Sequence, residues 1–132
     1  MTTDLLHYNA ENNTMIELVI CNSDTMAEGA ISALQSFGYN LRTSDCTTIP
    51  VFGVDASATG KKLIAQGMMT GTISQDAEGM AHCMSLLVSN VKAQRDLLSG
   101  TEAYATDEKN KLAQKLYIPY SIYEPAADDA LD

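Results

Sequence analysis

The stretch Ile16 to Leu34, IELVICNSDTMAEGAISAL, constrains the fold of this chain more than any other. It opens with a short apolar run, Ile16 to Cys21, built mostly of strand-favouring side chains. A polar hinge follows, Asn22-Ser23-Asp24. Apolar residues then recur at helical spacing: Met26, Ala27, Ala30, Ile31, Leu34 and Phe37. The pattern predicts strand, turn and helix. Asp24 or Thr25 is placed to cap the helix, and Thr25 with Glu28 fits a capping box. A near-continuous apolar strand predicts a parallel sheet covered on both faces. Open α/β sheets bind ligands outside the carboxyl ends of their strands, so the hinge falls on a candidate cleft rim.

The same alternation continues along the chain. Ile49 to Val54 (IPVFGV) predicts a second strand, with Pro50 at its beginning or on an edge because proline cannot donate to the ladder. Asp55 lands at its carboxyl end. Ser57 to Gln66 predicts a helix stopped by Gly67, and Met68 to Ser74 a third strand ending at Gln75 and Asp76. A long helix is expected from Asp76 to Ser99, with Met80, Cys83, Met84, Leu87, Val88, Val91 and Leu98 on one stripe and Gly100 closing it. Thr2 to Tyr8 predicts a short helix, and Tyr39 to Thr48 and Thr101 to Lys111 polar loops. Leu116 to Ile122 predicts a last strand before an acidic tail. The order is β-α-β-α-β-α-β, an α/β fold on a parallel sheet.

Charge and cysteine usage exclude several function classes. With 17 acids against 8 bases the net charge is -9, a field that repels phosphate backbones, so no nucleic-acid partner is expected. Cys21, Cys46 and Cys83 are too widely spaced for a C-x-x-C, a zinc pattern or a disulfide framework. Cys21 and Cys83 are expected as small apolar fillers, and the methionines, Met26, Met80 and Met84 among them, as core. No apolar run reaches the length of a membrane span, and the first residues lack the basic start and apolar stretch of a signal peptide. The catalytic candidates are His7, His82 and Cys83. His82 and Cys83 are adjacent and point to different helix faces, which makes no nucleophile-base pair. Neither enzymatic activity nor a cofactor is expected.

The informative positions are the strand ends. Asn22, Ser23 and Asp24 follow the first strand, Asp55 the second, and Gln75 and Asp76 the third. In a parallel sheet these ends converge on one border. Side-chain amides and carboxylates offer paired donors and acceptors that match neighbouring sugar hydroxyls, and a carboxylate makes the stronger, charge-assisted bond. Asx residues also favour caps and tight turns, so the pattern alone leaves both readings open.

The segments ELVICNSDTMAEGAISAL, IPVFGVDAS and GMMTGTISQDAEGM, in this order and spacing, resemble the C-terminal part of type I periplasmic sugar-binding proteins, closest to the galactose/glucose-binding branch of ABC-transport receptors. KLYIPYSIYEP is similar to that branch's last strand. The resemblance runs from about Met15 to Tyr123. It implies that Asp55 is a ligand carboxylate and Gln75 a polar ligand position. Ser23 stands where the family usually carries a sugar-binding Asn, with Asn22 beside it. Glu17 matches one calcium-ligand position, but the loop carrying the other ligands has no counterpart here, so no metal site is implied.

The resemblance further implies a fragment of a longer receptor. Residues 1–75 would be part of the C-terminal lobe, and 76–111 a long helix and loop that pack on an N-terminal lobe. A returning strand would take 112–123, and the tail 124–132. The full-length protein would be extracytoplasmic, in the periplasm or as a cell-surface lipoprotein. It would hand a monosaccharide to an ABC permease, with weak or no sugar affinity in this part alone. A second copy or another contact is expected to cover Met80, Met84, Leu87 and Val91. The alternative is part of the effector-binding domain of a LacI-type transcription regulator, which shares the fold.

Overall fold

The computed structural model describes residues 1–107 and 112–125, and the chain divides into two compact units. The first holds Met1–Ser74 and the chain from Ile122 onward, the second Gln75–Ser121.

In the first unit, α1 (Thr2–His7), β1 (Val19–Ile20), α2 (Asp24–Ser36), β2 (Val51–Val54) and α3 (Ala58–Ala65) lead into β3 (Gly71–Gln75). β1 pairs with β2 and β2 with β3, both parallel, with Val19 opposite Val51 and Val54 opposite Ile73. The α/β fold on a parallel sheet expected from the sequence is therefore present. Ala27, Ala30, Ile31 and Leu34 recur on one face of α2 and are buried with Leu5, Ile49, Val51 and Met69. The helix ends at Ser36 and the chain turns through Gly38 at φ 85°, a left-handed conformation that suits glycine. Beyond it the buried Asn40 accepts from the Ile49 amide (2.9 Å) and donates to the carbonyls of Ile49 (2.8 Å) and Met68 (3.2 Å). One side chain thus fastens the Tyr39–Thr48 loop to the entries of two strands.

Several local expectations need correction. β1 is only Val19–Ile20, shorter than the apolar run, and the sheet is not covered on both faces. Ile20 is 74% exposed, and its register partner Phe52 is exposed too, while Val51 is fully buried. Met26 and Phe37 also lie outside the core, whereas Met69 is inside it. The run of apolar letters reflected two sheet faces, only one of which is packed among the described residues.

The second unit is organised on α4 (Ala77–Lys92), capped by Asp76, whose carboxylate accepts from the Gly79 amide at 2.8 Å. The helix ends at Lys92 rather than near Ser99. Gln94 takes a left-handed φ of 52°, and Asn90 donates to the carbonyls of Leu97 (3.0 Å) and Ser99 (2.7 Å). That amide folds the chain back where the apolar spacing alone continues the helix. The segment expected as a polar loop contains β4 (Ala105–Asp107), antiparallel to β5 (Leu112–Tyr117). The expected single returning strand is therefore two, β5 and β6 (Tyr120–Ile122), broken at Ile118 and Pro119, where proline cannot serve as a ladder donor. Beyond β6 the chain returns to the first unit, where the Tyr123 amide donates to the Thr72 carbonyl at 3.1 Å.

On α4 Cys83 is buried as expected, and Met80, Cys83, Met84 and Leu87 line a hollow of about 270 Å³ with Leu116 and Ile118. Met84 is 64% exposed and Val91 65%, so Met84 is not core. No helix among the described residues is long and apolar enough to cross a membrane. The acidic residues Asp128, Asp129 and Asp132 of the tail lie outside the described residues.

Candidate functional site

The hinge after β1 caps its helix differently from the sequence expectation. Ser23, not Asp24 or Thr25, is the N-cap of α2, and its Oγ accepts from the Met26 amide at 3.3 Å. A hydroxyl used this way still has a proton to donate and a second lone pair. Asn22 beside it is exposed.

Displaced by one position from the cap, Asp24 turns inward. It is 1% exposed, and its two carboxylate oxygens are used separately. Oδ1 accepts from the Thr72 hydroxyl at 2.6 Å, and Oδ2 from the Ser57 amide at 2.7 Å. Space for the carboxylate comes from two glycines: a Cβ at Gly53 would fall on Oδ1, and one at Gly60 on Oδ2. Asp24 therefore joins the start of α2 to β3 and to the start of α3, across wide sequence separations.

Asp55 follows β2. Its amide donates to the Ile73 carbonyl at 2.8 Å, its φ is 114°, and Ala56 follows at 50°. Positive φ at a non-glycine residue is uncommon, and 114° lies outside the small left-handed well that L-residues tolerate. The Ala56 amide donates to Thr72 Oγ1 at 3.3 Å, and Ser57 Oγ caps α3 by accepting from the Gly60 amide at 3.0 Å. The Asp55 residue is exposed.

Because β1 and β2 are parallel neighbours, Ser23 and Asp55 follow their carboxyl ends on one border of the first unit's sheet. Gln75 is the last residue of β3, half-buried, and is grouped with the second unit. Glu17 is exposed just ahead of β1. Among the described residues no group of three or more His, Cys, Asp or Glu side chains is arranged to hold a metal ion. Behind the hinge, burial pushes the Cys21 thiol above its ordinary range. On α4 Cys83 is buried and His82 exposed, so the two stay on different faces.

Sequence reasoning missed Thr72, and it missed the inward role of Asp24. The signal was there in the two glycines: Gly53 inside a strand and Gly60 inside a helix both weaken their elements, and both face one acidic side chain.

Comparison with known proteins agrees with the architecture. The periplasmic binding protein domain family matches residues 2–94. The D-galactose/methyl-galactoside binding periplasmic protein MglB of Haemophilus influenzae is 32% identical over 87 residues, which is 66% of this chain and 24% of that protein. In fold, the chain is similar to an ABC transporter solute binding protein from Burkholderia multivorans, with a TM-score of 0.56 and 20% identity, over 74% of this chain and 31% of that one. The chain thus spans about a quarter to a third of the length of the proteins it matches.

Proposed function

Because this chain belongs to the periplasmic binding protein domain family, we propose that it is part of an extracytoplasmic receptor that binds a galactose- or glucose-like monosaccharide and delivers it to an ABC permease. One observation carries the reading. Asp55, a non-glycine residue at φ 114°, follows the strand beside the one that leads to Ser23, on the border where open α/β sheets take their ligands. Strained backbone persists where the surroundings enforce it, and it concentrates at functional positions.

In this reading the Asp55 carboxylate accepts from two neighbouring sugar hydroxyls. Ser23 contributes one shorter contact than an Asn would, with Asn22 beside it, and Gln75 supplies a paired amide. The identity to a galactose-binding protein supports the sugar class and favours a transport receptor over a LacI-type regulator. Solute loading would be signalled to the permease by lobe closure about a hinge. Since the chain corresponds to about a quarter of that relative, it provides part of one wall, and its own affinity for sugar is weak or absent. The partly exposed stripe Met80, Met84, Leu87 and Val91, of which Met84 and Val91 are open to solvent, takes cover from another protein surface, a second copy of this chain included.

The test is calorimetric titration of D-galactose and D-glucose into the full-length receptor and its Asp55→Asn variant. Loss of a charge-assisted bond, worth about 1.5–3 kcal/mol, lowers affinity roughly 10- to 150-fold. Unchanged affinity in Asp55→Asn for a sugar that the receptor binds removes Asp55 from the site. Tight binding by the 132-residue chain alone contradicts its assignment as one part of a wall.

A further inference from the structure

We infer that Asp24 and Thr72 are positioning residues: a buried carboxylate-hydroxyl pair that holds the Asp55–Ala56 backbone in its strained conformation and so aims the Asp55 side chain. The role assigned to that side chain rests on the sugar-receptor reading above. The holding of the backbone does not.

Three consecutive amides are involved, and each is tied to a different group. The Asp55 amide donates to the Ile73 carbonyl (2.8 Å), the Ala56 amide to Thr72 Oγ1 (3.3 Å), and the Ser57 amide to Asp24 Oδ2 (2.7 Å). The two side-chain acceptors are themselves coupled, since the Thr72 hydroxyl donates its one proton to Asp24 Oδ1 at 2.6 Å. That donation fixes the rotation of the hydroxyl and leaves its lone pairs for the Ala56 amide. The two backbone amides can only donate, one to Thr72 Oγ1 and one to Asp24 Oδ2, which leaves the hydroxyl proton to point inward at Oδ1.

Local preference does not produce this turn. Asp55 at φ 114° and Ala56 at φ 50° both have Cβ atoms that disfavour those angles, and glycine would adopt them at no steric cost. A strained turn of this kind persists only where its surroundings over-determine it. Asp24 and Thr72 are 1% and 2% exposed, beneath the turn and out of reach of solvent competition. Gly53 and Gly60 belong to the same device, because a side chain at either would displace the carboxylate. A glycine at position 55 would make the turn easily and carry no carboxylate. Keeping an acid there requires the enforcing pair.

A double-mutant cycle tests this on the 132-residue chain without any sugar. Thermal unfolding is measured for the wild type, Thr72→Val, Asp55→Gly and the double variant. If Thr72 works against strain at Asp55, Thr72→Val lowers Tm by at least about 3 °C less in the Asp55→Gly background than in the wild type. A Thr72→Val chain that fails to fold while the double variant folds supports the pair equally well. Equal Tm losses in both backgrounds overturn the inference, and Thr72 is then ordinary core. Amide exchange supplies the second measurement. The Ala56 and Ser57 amides of the wild type exchange as slowly as those of β2, Thr72→Val speeds Ala56 at least about tenfold, and Thr72→Ser restores it. Wild-type Ala56 and Ser57 amides that exchange like an open loop overturn the inference, even if Thr72→Val and the double variant both fail to fold. Loss of sugar binding in Asp55→Asn with additive Tm losses would leave the receptor reading standing and remove only the positioning pair.

Discussion

The two units of this chain are built from sequences of similar apolar content to opposite effect. In Met1–Ser74 the apolar letters at helical spacing mostly turn inward, and α2 alone buries Ala27, Ala30, Ile31 and Leu34. In Gln75–Ser121 an equally regular stripe on α4 buries Cys83, while Met84, Val88 and Val91 stay exposed. Polar groups follow suit. The first unit buries Asp24, Asn40 and Thr72, each with a hydrogen-bond partner from a distant segment (Thr72, Met68 and Asp24), whereas the second unit's Asn90 and Thr101 bond to residues within nine positions of themselves. Helical periodicity therefore specifies that a face is apolar without specifying what covers it. The α2 stripe of the first unit is covered from within that unit, whereas Met84, Val88 and Val91 on α4 stay exposed among the described residues.

The hardest test of that contrast is a pair of truncations. Leu34 is fully buried, so Leu34→Ala leaves a cavity and costs about 2–5 kcal/mol of unfolding free energy. Met84→Ala, on the exposed stripe, costs about 0.5 kcal/mol or less in the isolated chain. Both are read from chemical denaturation. If Met84→Ala matches Leu34→Ala, the stripe is already covered in solution and the contrast between the units is false. Sedimentation of the same samples then shows whether a second copy supplies the cover, since only that cover disappears on dilution.

A smaller effect separates glycines that look alike in the sequence. Gly29 and Gly60 both lie inside helices. A Cβ at Gly29 meets nothing within 4 Å, so Gly29→Ala stabilises by about 0.5–1 kcal/mol through helix propensity. At Gly60 the added Cβ meets the Asp24 carboxylate, and the strain of overpacking, about 1–3 kcal/mol, exceeds that gain. A stabilising Gly60→Ala would mean that Asp24 is free to move, and the buried clasp of the first unit would lose its meaning.

These pairs also mark what was legible in the letters. The parallel α/β order was readable because apolar runs, polar hinges and glycine stops recur at consistent spacing, as at Ile16–Leu34 and again at Ile49–Gly67. That Ser23 and Asp55 follow neighbouring strands on one border was readable because strand ends in a parallel sheet share a border. What escaped is long-range. Asp24 looked like a cap because Asx residues commonly are one, and only the position of Thr72 in a neighbouring strand turns it inward. Asn90 looked like one more helix residue, yet its bonds to Leu97 and Ser99 accompany an end to α4 before the apolar pattern stops. The pair β4 and β5 escaped because Ala105–Asp107 has no alternating pattern of its own and gains strand form only from its partner.

The Ser23 cap comes next in size. Ser23→Ala removes the acceptor for the Met26 amide and lowers stability by about 1 kcal/mol, while Ser23→Asn keeps a capping oxygen and is nearly neutral. Asn also has the longer side chain, so under the proposed sugar-binding reading Ser23→Asn raises the full-length protein's affinity for D-galactose as Ser23→Ala lowers it. Stability measured by denaturation and affinity measured by calorimetry then move separately, which a purely structural serine does not allow.

The smallest effect is a slope in alkaline pH, and it comes from the first unit. Cys21 directly follows β1, and burial raises its thiol above the ordinary value by penalising the thiolate. A raised acid keeps its proton longer in the folded chain than in the unfolded one. Its contribution to stability is therefore complete below the unfolded thiol range, near roughly pH 8.5, and is lost as pH rises through the folded value. Denaturation midpoints taken between pH 7 and pH 10 fall slightly, and Cys21→Ala, although less stable throughout, falls less steeply over the same window. Identical slopes for wild type and variant would show that the thiolate finds water at the end of β1, and that the first unit is looser behind its hinge than its burial implies.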